Sequence, residues 1–162
     1  MITDIRQSLN ADTLINAILE AEAPEVGEGV LVLAADTIVV VDGRVLGKPA
    51  DLGESRNMLA RLQGRRHEVL TGVALRWSGR MASAVERTEV CFRPLTPGEV
   101  AAYAATGEGM DKAGSYAIQG RGALLVSGID GDYFNVVGLP LCRLGMLLES
   151  VGLSLERLWS GL

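Results

Sequence analysis

Asp36 is the residue whose type and place in this sequence most directly call for a chemical explanation. It interrupts Val30 to Val41, a nearly continuous apolar run rich in valine and isoleucine, which reads as a strand buried on both faces. An ionised carboxylate there is costly unless a metal, a cation or hydrogen bonds compensate it. The other reading is an aspartate at the strand's end capping a turn, and the neighbouring Thr37 suits either. Lys48 lies twelve residues on, in Gly47-Lys48-Pro49. Asp42-Gly43 predicts a two-residue hairpin turn, since both central positions need positive φ, and the hairpin carries Lys48 back to the level of Asp36. Strict pairing sets residue 36 opposite residue 49, so Lys48 shares a site with Asp36 only if the strand ends or bulges near Gly47.

A second group lies in Asp111-Lys112-Ala113-Gly114-Ser115-Tyr116 and Gln119. It puts a cation, a hydroxyl, an aromatic ring and a two-way amide into one stretch, a set suited to holding phosphate and reading a base edge. A solvated loop with turn-forming glycines is the alternative. Gly43 to Pro49 resembles a phosphate-binding P-loop only superficially, because its glycines are one residue too close and proline replaces the hydroxyl residue. Cys91 and Cys142 sit in no CxxC or Cys/His cluster and have no base beside them, so they read as packing residues. The lone His67 reads as a structural histidine at the entry to a strand.

The elements that must position these groups follow from periodicity and punctuation. Leu14, Ile15, Ile18 and Leu19 recur at helical spacing within 12 to 22, before Pro24 and the glycines at 27 and 29. Arg44 to Leu46 returns from the hairpin. Asp51 with Glu54 opens a helix whose inner face is Ser55, Met58, Leu59 and Leu62 and whose end is Gly64. Glu68 to Arg76 and Met81 to Phe92 form a second antiparallel pair around Trp77-Ser78-Gly79-Arg80. Thr96 with Glu99 opens another helix through Tyr103, and Gly107 to Gly122 reads as a structured loop. Ala123 to Ile129 and Tyr133 to Val137 are expected as one more hairpin around Asp130-Gly131, and Pro140 to Val151 as a closing helix. Mixed elements with antiparallel neighbours predict an α/β or α+β fold.

Composition narrows the functions. The chain has 162 residues, 48% of them hydrophobic, enough for one core, and a single domain over 1–162 is expected. Fifteen Lys and Arg against 20 Asp and Glu give a net charge of −5, which argues against a general grip on nucleic acid or an anionic membrane. An anionic ligand then needs a local basic site. With no signal peptide and no apolar run of transmembrane length in the sequence, a cytoplasmic protein is expected.

Ala35-Asp36-Thr37, Gly47-Lys48-Pro49, His67-Glu68-Val69-Leu70-Thr71-Gly72-Val73, Asp111-Lys112-Ala113-Gly114, Ile118-Gln119-Gly120 and Val136-Val137-Gly138-Leu139-Pro140 occur in one order. In that order and approximate spacing they resemble the Maf family of nucleoside triphosphate pyrophosphatases, over about residues 30 to 152. The resemblance implies a mixed central sheet flanked by helices, with a deep cleft, often in a homodimer. It also implies hydrolysis of a nucleoside triphosphate to the monophosphate and pyrophosphate with a divalent metal, Mg²⁺ or Mn²⁺. Asp36 matches the position proposed as metal ligand or general base, and Lys48 the cleft lysine that neutralises phosphate charge. Lys112 sits in the second basic motif, Gln119 matches a glutamine of members that prefer dTTP and UTP, and Thr37 and Thr71 line the same cleft.

Family members also carry Ser-x-Ser-Pro-Arg-Arg at a helix start, and residues 1 to 29 show no such motif, so an N-terminally shortened fold is expected. Two functional expectations follow. One is a dTTP/UTP-type pyrophosphatase; the other is a catalytically degenerate domain of the same family that binds a nucleotide or a partner without turnover.

Overall fold

The computed structural model describes residues 29–161. The helix expected over residues 12 to 22 lies outside them. Five strands form one sheet: β1 (Val32–Val41), β2 (Arg44–Leu46), β3 (Arg66–Trp77), β4 (Arg80–Phe92) and β5 (Val126–Asp130), in the order β2-β1-β3-β4-β5. Five α-helices accompany them among the described residues: α1 (Leu52–Leu62), α2 (Pro97–Ala105), α3 (Tyr133–Val137), α4 (Leu141–Ser150) and α5 (Leu155–Trp159). The expected mixed α/β class is what the structure has.

The hairpins form where the turn chemistry places them. Asp42 and Gly43 have φ of 50° and 70°, and Ser78 and Gly79 of 48° and 77°, the left-handed pair that matches strand twist. The first fixes the register Val39↔Leu46, Val40↔Val45 and Val41↔Arg44. That register is the one expected from strict pairing, but the ladder stops at Leu46, so Gly47 and Lys48 leave the sheet.

The chain divides into two compact units, and β1, β3 and β4 each run from one into the other. One unit holds Thr37–Leu70 and Arg87–Val137. Its core is formed by Val39 and Val41 of β1, Met58, Leu59 and Leu62 of α1, Phe92 of β4 and Tyr103 of α2, with Tyr116 and Ile118 from the following segment. Asp51 caps α1, its side chain accepting from Glu54 N at 2.8 Å, while the Glu54 carboxylate accepts from Ala50 N at 2.7 Å. At α2 the box closes on the cap residue itself: Glu99 N donates to Thr96 Oγ1 at 3.2 Å and Thr96 N to Glu99 Oε2 at 2.8 Å.

The other unit holds Thr71–Glu86, the described residues up to Asp36 and those from Gly138 on. Val73 and Leu75 of β3 pack there with Leu147 and Leu148 of α4 and with Val151 and Leu153. Arg143 of α4 donates to Glu86 of β4 at 2.7 Å.

Two expectations are corrected. Residues 133 to 137 are helical rather than a strand. Asp132 Oδ1 accepts from Phe134 N at 2.8 Å, a local cap that turns the chain into α3 and removes the partner for the predicted hairpin. β1 is not buried on both faces: Val39 to Val41 are, but Leu33 is 38% exposed and Asp36 is exposed. The desolvation penalty invoked for the Asp36 carboxylate therefore does not arise.

Candidate functional site

Where β2 ends, the Gly47 carbonyl accepts a hydrogen bond from Gly114 N at 3.0 Å. This one backbone bond joins the two basic motifs, with Lys48 next after Gly47 and Lys112 two residues before Gly114. Both lysines are exposed. Lys112 Nζ pairs with Asp111 Oδ2 at 3.1 Å. That ion pair holds the Asp111 carboxyl below its ordinary value, and the charge of Lys48 adds to the effect, so both cations act on one spot. Two lysines gathered this way form a local positive site on a chain of net negative charge.

The segment that follows Lys112 is fixed against β1 and α1. Gly114 has φ of 71°, and a Cβ there would stand 2.9 Å from Val39 Cγ2, so only glycine lets the loop lie on β1. Thr37 is two residues from Val39 and by strand alternation shares its face. The next residue, Ser115, is fully buried at φ 62°, and its Oγ lies 2.6 Å from Ser55 Oγ on the inner face of α1. Tyr116 follows, its Oη 2.8 Å from His67 Nε2. His67, Phe92 and Tyr116 meet edge to face with ring centroids 4.7 to 5.4 Å apart. Burial pushes the His67 ring down to about 4, so it is neutral near pH 7, as a structural histidine should be.

Gln119 is exposed and backbone-extended, and makes no side-chain capping bond to the 3₁₀ turn at Gly120–Leu124 that it precedes. Thr37, Lys48, Lys112 and Gln119 all belong to the unit built on α1 and α2. Asp36 is the exposed residue immediately before Thr37, in the other unit. Thr71 is fully buried within β3.

Three further polar residues were missed in the sequence. Glu108 accepts from Tyr103 Oη at 2.8 Å, Arg121 N at 3.0 Å and Gly122 N at 2.9 Å. Its one sequence signal is a position between glycines just ahead of Asp111. Asn135, fully buried, donates to Val69 O and to Thr88 Oγ1, each at 3.1 Å. Thr88 in turn donates to Asp132 O at 2.8 Å, tying α3 to β4. Cys91 is partly buried, but Cys142 is exposed rather than packed as expected, and both are free thiols.

No group of three or more His, Cys, Asp or Glu side chains able to hold a metal occurs among the described residues. A donor set of that kind is not what Mg²⁺ requires. It keeps several waters and commonly binds through one or two carboxylates together with substrate phosphates, which an exposed Asp36 suits. No helix among the described residues is long and apolar enough to cross a membrane.

Comparison with known proteins identifies the family. The family described as Maf-like protein matches residues 4–151, reaching further back than the six motifs. A dTTP/UTP pyrophosphatase of Moorella thermoacetica is 54% identical over 143 residues, which cover 85% of this chain and 74% of that protein. One of Halalkalibacterium halodurans is 51% identical over 146 residues, 88% of this chain and 77% of its own. The Symbiobacterium thermophilum protein of the same name is 57% identical over 124 residues, 76% of this chain and 64% of its own.

Proposed function

The chain belongs to the Maf-like protein family, and from that premise we propose that it is a nucleoside triphosphate pyrophosphatase acting on dTTP and UTP. The observation that carries the reading is the Gly114–Gly47 bond, which gathers Lys48 and Lys112 beside a loop bearing an uncommitted amide at Gln119. Cations where phosphate charge accumulates and a two-way amide for a base edge are what such a substrate needs. The names carried by the relatives supply the substrate class.

In this reading water attacks the α-phosphorus, and the bond from that phosphorus to the bridging oxygen of the β-phosphate breaks. Asp36 accepts the proton of the attacking water. Lys48 and Lys112 neutralise charge on the departing pyrophosphate, Thr37 supports the phosphates from β1, and Gln119 hydrogen-bonds the pyrimidine. Buried Thr71 acts from inside β3 rather than by touching substrate. A divalent metal held by Asp36 would supply electrostatic stabilisation of the triphosphate and orient it for in-line attack. The degenerate, non-hydrolysing alternative has less in its favour, because Asp36, both lysines and Gln119 are all present. The reading extends to a cytoplasmic homodimer, with Tyr133, Phe134 and Val137 of α3 exposed as an apolar surface for a second copy.

The test is pyrophosphate release by the purified 162-residue chain from a panel of nucleoside triphosphates with Mg²⁺ or Mn²⁺, beside Asp36→Ala. Turnover of dTTP and UTP that falls by about a hundredfold or more in the variant supports the reading. A folded chain that cleaves none of the panel, or purine substrates alone, overturns it.

A further inference from the structure

Among the described residues, a close set of polar contacts outside the two lysine motifs lies around the Gln119 turn. Ala117 N donates to Tyr103 Oη at 3.1 Å, and Tyr103 Oη donates to Glu108 Oε2 at 2.8 Å. Beyond Gln119, Arg121 N donates to Glu108 Oε1 at 3.0 Å and Gly122 N to Glu108 Oε2 at 2.9 Å. The Tyr103–Glu108 pair therefore grips the backbone two residues before Gln119 and two and three residues after it. We propose that Glu108, braced by Tyr103, is the positioning residue that fixes Gln119 for pyrimidine selection, a proposal that rests on the pyrophosphatase reading above.

The local geometry is built around this carboxylate. Gly120 has φ of 69°, and a Cβ on it would stand 2.4 Å from Glu108 Oε1. A Cβ on Gly122 would stand 1.9 Å from Ala117 O, so the two ends of the turn are in contact and close only with glycine. Glu108 is held below its ordinary carboxylate value, first by the Arg121 amide, and stays ionised near neutrality. A bare carboxylate beside an anionic substrate would repel it. Here three donors satisfy the carboxylate oxygens, which suits a brace and not a phosphate or metal contact. Gln119 itself makes no capping bond to the turn that follows, so its amide is left for a base edge while its backbone is fixed on both sides.

Discrimination built on a hydrogen-bonded amide depends on where that amide stands, and a displacement of about 1 Å is enough to lose it. Glu108→Gln keeps the size but turns an NH₂ toward one of the amide donors, breaking at least one grip. The experiment pairs ¹⁵N–¹H spectra of the full chain with steady-state kinetics on dTTP and dCTP for the native protein, Glu108→Gln, Tyr103→Phe and Gln119→Ala.

In Glu108→Gln the Arg121 and Gly122 amide protons move upfield, and the dTTP to dCTP ratio of kcat/KM falls about tenfold or more, chiefly through KM for dTTP. Tyr103→Phe gives a smaller loss in the same direction and serves if Glu108→Gln does not fold. Adding Gln119→Ala to Glu108→Gln costs little more, because both changes remove one function. Unmoved amides, an unchanged ratio in a folded variant, or fully additive losses overturn the proposal. If the native chain cleaves no triphosphate, the pyrophosphatase reading has failed by itself. The same ratio is then read from dTTP and dCTP binding by amide perturbation, and equal binding in native and variant chains, or none, overturns base selection by Glu108.

Discussion

Residues 108–122 and the packing of α4 on β3 and β4 are held by opposite means. In the first, a stretch almost without regular structure is fixed by polar side chains one bond at a time: Glu108 on two amides, Tyr103 on a third, Ser55 on Ser115, His67 on Tyr116. In the second, Val73, Leu75, Leu147 and Leu148 pack as aliphatic surface. Polar anchors are directional, so losing one moves a particular atom; aliphatic packing is graded and forgiving of small shifts. Function is therefore most exposed to mutation in residues 108–122. A loop that must hold Lys112 and Gln119 in place cannot relax, whereas the aliphatic packing of α4 can.

The largest effect is expected from one methyl group added to the loop. Gly122→Ala places a carbon where Ala117 O stands, and is expected to lower kcat/KM for dTTP by about a hundredfold or more. Its stability loss should be only about 2 to 3 kcal/mol, measured by urea unfolding. Leu148→Ala, in the other region, should cost about 2 to 4 kcal/mol but leave kcat/KM per folded molecule within about threefold. If the two variants lose activity in proportion to stability alone, the contrast between the regions is wrong.

The regions also differ in their response to pH. The His67 ring, with its ordinary value of 6.5 pushed down to about 4 by burial, binds a proton less readily folded than unfolded. Its contribution is therefore fully present above pH 6.5 and is lost as the pH falls from 6.5 toward 4, by an amount on the order of 3 kcal/mol. Urea midpoints of the native chain should fall between pH 7 and pH 5, and the slope should flatten in His67→Phe. An equal slope in that variant would assign the acid sensitivity elsewhere. The smallest effect expected is at exposed Cys142 on α4, where Cys142→Ser should change stability by less than about 0.5 kcal/mol and leave turnover as it was.

Much of the scaffold was legible because its signals are local. Asp42-Gly43 and Ser78-Gly79 need only their own φ angles, and the caps at Asp51 and Thr96 are closed by residues three or four away. Residues 133 to 137 were misread as a strand because the short cap that Asp132 makes at the start of α3 looks like the end of a hairpin when apolar residues follow it. The burial of β1 was overread because an unbroken run of valine and isoleucine does not say which of its residues another element covers. Of the site, Lys48 and Lys112 were visible as residue types, but their meeting through Gly47 and Gly114 joins positions 67 residues apart, which no local pattern encodes. Glu108 was missed for the same reason, since its partners at 121 and 122 are met only once the loop closes.

Which bond the chain breaks decides its chemistry. Hydrolysis of dTTP with Mg²⁺ in water enriched in ¹⁸O, read by ³¹P spectroscopy, follows the attacking oxygen directly. Label on dTMP with unlabelled pyrophosphate is the predicted result, because attack at the α-phosphorus leaves the water oxygen on the monophosphate. Label on inorganic phosphate or on pyrophosphate, or dTTP left intact by a folded chain, would contradict it.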